Sequence, residues 1–135
     1  MVHAIRRRGT ATTELVFCVP LLFTLIFGSI EACNAITLRQ TLTVAAYEGM
    51  LQATARDAEE SNVLQRVQDM LSARNVSAQS IHIGDDAGNT VAIADLEHGD
   101  LFQISITVVV AANIPPPRLF YLSPTMSVSV VGQKQ

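Results

Sequence analysis

The stretch RRRGTATTELVFCVPLLFTLIFGSI, residues 6–30, decides the fold of this chain. One acidic residue, Glu14, stands in front of a segment, residues 15–30, that carries no charge. Counted from residue 11, the apolar segment holds about 20 residues, which is the length of helix that crosses a hydrocarbon core. Basic residues favour the cytoplasmic side of a membrane, so the three arginines ahead of the segment predict a cytoplasmic N-terminus and an outward C-terminal part. This topology signal consists of Arg6, Arg7 and Arg8.

Most acidic residues lie after the apolar segment. Residues 31–135 hold 11 of the 12 acidic residues and six of the nine basic ones, a balance of −5. A nucleic-acid partner needs a basic face, so the acidic outward part argues against such a partner.

Three interpretations of the apolar segment compete: a retained membrane helix, a cleaved secretory signal peptide, and a lipoprotein signal that ends in acylation of Cys33. Retention is favoured because apolar residues recur at helical spacing well beyond Glu31, with no proline- or glycine-rich linker. Inside the segment, Pro20 removes a backbone donor and predicts a kink or local melting. Gly28 and Ala32 form a small-residue pair that lets another helix approach closely.

The two cysteines, Cys18 and Cys33, lie 15 residues apart on this predicted helix. At about 1.5 Å per residue they are roughly 22 Å apart, which is too far for a disulfide within the chain. Cys33 remains a candidate for linking two chains.

The arrangement of Gly9 and Glu14 resembles the type IV prepilin processing signal. In that family a membrane-embedded prepilin peptidase cuts after the glycine and leaves the apolar helix on the mature protein. The resemblance implies cleavage between Gly9 and Thr10, with Glu14 as the fifth mature residue. In this interpretation the Glu14 carboxylate neutralises the new terminal amine of a neighbouring subunit during assembly, because an unpaired buried charge is heavily penalised.

A closer resemblance is to the TadE-like family of pseudopilins, and it covers residues 6–53. The motifs that carry it are RGTATTEL at residues 8–15, VPLL at 19–22, FGSIE at 27–31 and AAYEG at 45–49. It implies a minor pilin-like component of a Tad/Flp-type pilus or secretion machine in the bacterial inner membrane. It also implies three kinds of partner: other pilin-like subunits, an inner-membrane secretion platform and a prepilin peptidase. The alternatives are an unprocessed single-pass adaptor and a lipoprotein acylated at Cys33.

The outward part predicts a small head. The first helix should continue to about Ala58, and a second helix should begin at Ser61, where Asn62 and Gln65 have capping-box spacing. An apolar face on this second helix consists of Val63, Leu64, Val67, Met70 and Leu71. Alternating residues predict a hairpin on either side of residues 85–89 and further strands at residues 101–111 and 126–130.

The predicted fold class is therefore α+β: a long transmembrane helix, a second helix and an antiparallel sheet of about four strands. We divide the chain into a basic cytoplasmic leader (1–9), a transmembrane helix (10–30), an extracytoplasmic helix (31–60) and a small α+β head (61–135).

Catalysis is not indicated. The chain has no phosphate-binding loop, no nucleophile elbow and no His-Glu-x-x-His sequence, and we expect no enzyme activity, no metal and no cofactor. The aromatic loop after the three prolines either covers the sheet or forms a patch for a partner subunit. That candidate patch consists of Leu119, Phe120, Tyr121 and Leu122.

Overall fold

The computed structural model describes residues 3–55, 58–85, 89–116, 118, 120 and 123–135, with side chains described from residue 11 onward. In these described ranges, three α-helices and three strands follow one another in the order α1 (His3–Ala53), α2 (Glu60–Ser72), β1 (Ser80–Asp85), β2 (Leu101–Val109), α3 (Val110–Asn113) and β3 (Thr125–Gln133). The chain forms two compact units, Met1–Cys33 with Pro117–Leu122, and Asn34–Pro116 with Ser123–Gln135. The α+β class is confirmed.

The first unit contains the N-terminal part of α1. Residues 11–26 are all exposed, although most of them are apolar. The helix from Ala11 is long and apolar enough to cross a membrane, and its most apolar window has a mean hydropathy of 2.1. It is not unwound at Pro20, and the Thr24 hydroxyl donates to the Pro20 carbonyl over 2.8 Å. The local melting that we considered for this position does not occur.

The second unit is built around β2. This strand pairs antiparallel with β1 on one side and with β3 on the other, in a register that aligns Ile104 with Ile83 and Val130. The alternating residues of β2 that were predicted to share one face are all buried. They are Phe102, Ile104, Ile106 and Val108, followed by Val110 at the start of α3.

The predicted number of about four strands is one too many for the described residues. The second arm of the hairpin after β1 is reduced to a single bridge between Gly84 and Thr90. Ile93 then lies in a short 3-10 helix, Ile93–Asp95, and is buried. Its side chain contributes to the core without a strand, so the predicted second arm of the hairpin after residue 89 is wrong.

The boundary between α1 and α2 also differs from the prediction. The first helix ends at Ala53 instead of near Ala58, and Lys134 donates to the carbonyls of Ala53 and Ala55, each over 3.0 Å. These contacts satisfy carbonyls that have no partner at a helix end. The second helix begins at Glu60 with Glu59 as its N-cap residue, so the predicted cap at Asn62 is wrong.

The apolar face of α2 is confirmed. Val63, Val67 and Leu71 are buried, and Leu64 and Met70 are half-buried. The chain leaves the helix at Asn75, which adopts a positive φ of 54°, and the Val76 N–H donates to the Leu71 carbonyl. A left-handed residue followed by such a bond is a common way to end a helix.

A fragment of residues 61–135 is expected not to fold on its own, because α1 supplies a wall of its core. Leu38, Leu42 and Met50 are buried, and each such side chain contributes about 1.5–3 kcal/mol on burial. The matched control is residues 34–135, which keep this part of α1. Thermal melting should be cooperative for the longer fragment only, and a cooperative transition in residues 61–135 would contradict the assignment.

Candidate functional site

The largest exposed apolar surface in the described chain lies on α1. Leucine, valine, isoleucine and phenylalanine side chains are exposed on every side of the helix between residues 15 and 30, and Phe17 is 80% exposed. A helix that is apolar all round is a core helix or a membrane helix. Because these residues are exposed within the chain, the surface requires an apolar environment from outside it.

The predicted processing residues all lie in the first part of α1. Gly9 and Thr10 are within the helical backbone, as are the three arginines, and their side chains are outside the described residues. Glu14 follows one turn later and its side chain is exposed. The described residues of the chain do not bury Glu14, so its position is compatible with a partner from another subunit.

A second carboxylate on α1 is buried. Glu31 is only 3% exposed, and its two carboxylate oxygens accept the backbone N–H of Phe120 over 3.1 and 2.9 Å. The sequence did not reveal this burial, because 89 residues separate the partners. These two contacts hold the backbone of Phe120 on the helix.

Gly28 has a neighbour within the same unit. A Cβ atom placed on Gly28 would lie 3.0 Å from Cε2 of Phe120, so the aromatic ring packs where a side chain would stand. Phe120 as a whole is nevertheless 56% exposed. Ala32, the other small residue of the predicted pair, is exposed. Leu119, Tyr121 and Leu122 of the predicted patch lie outside the described residues.

The sequence AAYEG at residues 45–49 packs α1 against α2 and the sheet. Ala45 and Ala46 are fully buried, and a Cβ atom on Gly49 would lie 2.5 Å from Cγ2 of Val67 and 3.4 Å from Cδ1 of Ile104. Glu48 pairs with Arg66 of α2 over 2.9 Å. Residues 45–49 therefore pack α1 against its neighbours, and we call them the seam. This packing explains these residues without a chemical role.

The opposite side of the same part of α1 carries an apolar stripe, which we call the outer stripe. It consists of Ile36, Val44, Tyr47 and Leu51, all of them exposed large apolar residues. At about 100° per residue, these positions lie on the side of the helix that faces away from Leu38, Leu42 and Ala45. The outer stripe is available to another helix.

Metal binding finds no support among the residues that the structure describes. No three histidine, cysteine, aspartate or glutamate residues there come together in a way that could hold an ion. His82 contacts the hydroxyl of Thr90 over 2.7 Å, and Asp85 accepts the Asn89 backbone N–H over 2.8 Å. Both contacts join β1 to residues 89 and 90. Cys18 and Cys33 are exposed free thiols.

The exposed apolar helix, the buried Glu31 and the small-residue seam are all features of α1, and the comparison with known families concerns this helix. Residues 9–51 match the family model of TadE-like proteins. These residues are similar to TadE-like proteins, and we call them the TadE-like segment. The resemblance inferred from the motifs is thereby confirmed, and the matched segment runs from Gly9 to two residues before the end of α1. No curated protein and no solved structure matches the chain.

The TadE-like segment contains Glu14, Pro20, Gly28, Ala32 and the seam at residues 45–49. It does not extend to α2 or the sheet. Similarity to this family suggests a component associated with a Tad pilus, and the family itself is not known for catalysis.

Proposed function

We propose that this protein is a minor pilin-like subunit of a Tad/Flp-type pilus or secretion machine, anchored in the bacterial inner membrane by α1. One observation carries the proposal: residues 11–30 of the TadE-like segment form an uninterrupted, mostly apolar helix, and every residue from 11 to 26 is exposed. A bilayer, or a bundle of similar helices within it, provides the environment that this surface requires.

The topology follows from charge. Arg6, Arg7 and Arg8 remain in the cytoplasm, and the acidic second unit lies on the periplasmic side. A prepilin peptidase cuts between Gly9 and Thr10, so that the mature chain keeps the whole apolar helix. The backbone at Gly9 carries no side chain that would obstruct a protease cleft.

Glu14 is the residue that we assign to assembly. A carboxylate in the acyl region costs a few kcal/mol when it has no partner. Cleavage creates an ammonium group at Thr10, and in a neighbouring subunit this group lies near the same membrane depth as Glu14. Pairing the two charges sets the register between adjacent helices, and the outer stripe extends the same side-by-side packing beyond the membrane.

Replacement of Glu14 by alanine is expected to weaken association with partner helices and to leave processing largely intact. The reason is that the neighbour's amine loses its counter-charge, at a cost of about 3 kcal/mol or more for a buried pair. Cross-linking in native membranes, followed by recovery of the pilin-type subunits bound to the chain, measures the effect. Glu14→Asp keeps the charge and is the matched control.

Normal cross-linking of Glu14→Ala would contradict the role of Glu14 in register. If Glu14→Asp loses as much cross-linking as Glu14→Ala, side-chain size matters and charge does not. That result would also contradict the charge pairing.

The two alternative functions require different processing of α1. A lipoprotein acylated at Cys33 would have to be cut before Cys33, within a helix that runs without a break to Ala53, and would lose Glu31 together with its hydrogen bonds to Phe120. An unprocessed single-pass adaptor would keep residues 1–9. The mass of the membrane-extracted chain distinguishes all three forms.

A further inference from the structure

We propose that Phe120 is a second point of membrane contact and that it inserts at the boundary between headgroups and acyl chains of the outer leaflet, beside α1. This inference rests on the proposed function, because it requires residues 11–30 to cross the membrane. It adds a lipid contact from a residue that lies 90 positions beyond the end of the apolar segment.

The depth of Phe120 follows from its contact with Gly28. The ring occupies the space beside the Gly28 backbone, where a Cβ atom would lie only 3.0 Å from ring atom Cε2. Gly28 belongs to the uncharged segment and lies two residues before its last member, Ile30, which is about 3 Å along the helix. When this segment spans the membrane, the Phe120 ring is therefore at the level of its outer end.

The backbone N–H of Phe120 has an acceptor within the protein, so it needs no water molecule as a partner. A peptide N–H that lacks a partner costs several kcal/mol in hydrocarbon. Here the Phe120 N–H donates to both oxygens of Glu31, over 2.9 and 3.1 Å, and the carboxylate is almost completely shielded from solvent. One contact thus satisfies the peptide group and provides a donor to a buried acid.

The exposed part of Phe120 favours lipid as the occupant. Phe120 is 56% exposed, and its ring contacts Gly28 on a helix that is long and apolar enough to cross a membrane. Aromatic side chains are enriched at membrane interfaces. Arg118, two residues earlier in the sequence, is also exposed.

A single tryptophan reports on this contact, because the natural chain contains none. The full-length Phe120→Trp protein is reconstituted in vesicles of phosphatidylcholine and phosphatidylglycerol, with lipids brominated near the glycerol end of the acyl chain. We expect strong fluorescence quenching by the brominated lipid and weak quenching by aqueous iodide. The matched control is Val131→Trp on β3, a site that is 54% exposed and should show the reverse pattern.

Variants of Glu31 test whether its hydrogen bonds hold Phe120 in place. Adding Glu31→Ala to Phe120→Trp removes the acceptor, and we expect iodide quenching to rise toward the level of Val131→Trp while quenching by the brominated lipid falls. Glu31→Gln keeps one acceptor oxygen and should give an intermediate value. Unchanged quenching in Glu31→Ala would overturn the role assigned to Glu31.

Phe23→Trp, in the middle of the apolar segment, separates failure of this inference from failure of the proposed function. If lipids brominated near the chain end quench Phe23→Trp but no brominated lipid quenches Phe120→Trp, the anchor stands and the second contact is wrong. If Phe120→Trp is shielded from both lipid and iodide, a protein surface covers it, and the lipid contact is again wrong. If Phe23→Trp is not quenched, the membrane anchor fails and the inference fails with it.

Discussion

Gly49→Val is expected to lower the free energy of unfolding of the second unit by about 3 kcal/mol, because extra methyl groups in a filled core force neighbouring side chains and backbone to move. The first added atom would already lie 2.5 Å from Cγ2 of Val67, closer than Cβ contacts occur in proteins. Hydrogen exchange of the β2 amides in the detergent-solubilised full chain measures the loss, since these amides exchange only when the core opens.

The control for Gly49→Val is Gln52→Val. Gln52 is exposed on the same helix, so this variant has the same β-branched side chain without the overlap. Combining Gly49→Val with Val67→Ala removes the nearest obstructing methyl group and should restore part of the protection. If Gly49→Val and Gln52→Val exchange at the same rate as the natural chain, the seam at residues 45–49 does not pack α1 against α2 as described.

Gly9→Leu is expected to abolish processing, leaving the chain with its leader in place. A leucine at the residue before the scissile bond fills the space that a glycine leaves open in a protease cleft. The unprocessed and processed chains differ by residues 1–9 and separate on a high-resolution gel of the membrane fraction. Ala11→Leu adds the same side chain two residues later and should be processed normally.

Normal cleavage of Gly9→Leu would show that Gly9 does not select the site. Equal loss in both variants would instead show that a bulky residue anywhere near the bond is harmful, and Gly9 would lose its special role.

The parts of the fold that could be predicted from the sequence are those with a local repeating pattern. The alternation of residues 102–110 predicts the buried face of β2, and the spacing of Val63, Val67 and Leu71 predicts the buried face of α2. The motifs between Gly9 and Gly49 predict the family that the comparison found. In each case neighbouring positions share one environment, so the signal is repeated within a few turns or strand residues.

The contacts that could not be predicted join residues far apart in the sequence. Lys134 reaches the last carbonyls of α1 from 81 residues away, and Glu31 accepts a bond from Phe120. Lysine and glutamate side chains are usually exposed, yet Lys134 and Glu31 are both buried. Only the tertiary arrangement shows that each has a backbone partner.

The family match ends close to the end of helix α1. The TadE-like segment ends at residue 51 and α1 ends at Ala53, whereas the sheet and α2 lie outside the match. The shared part is therefore the helix, including the residues that we assign to processing, assembly and packing. We infer that α2 and the sheet, which lie outside the match, give this chain its own surface.

The most direct test of the account is the intact mass of the chain extracted from native membranes, together with the sequence of its N-terminus. The account predicts a membrane-bound protein that begins at Thr10 and retains the whole apolar helix. A chain that begins at Met1 or Val2 would contradict processing. A water-soluble periplasmic chain that begins after residue 31 would contradict the membrane anchor itself.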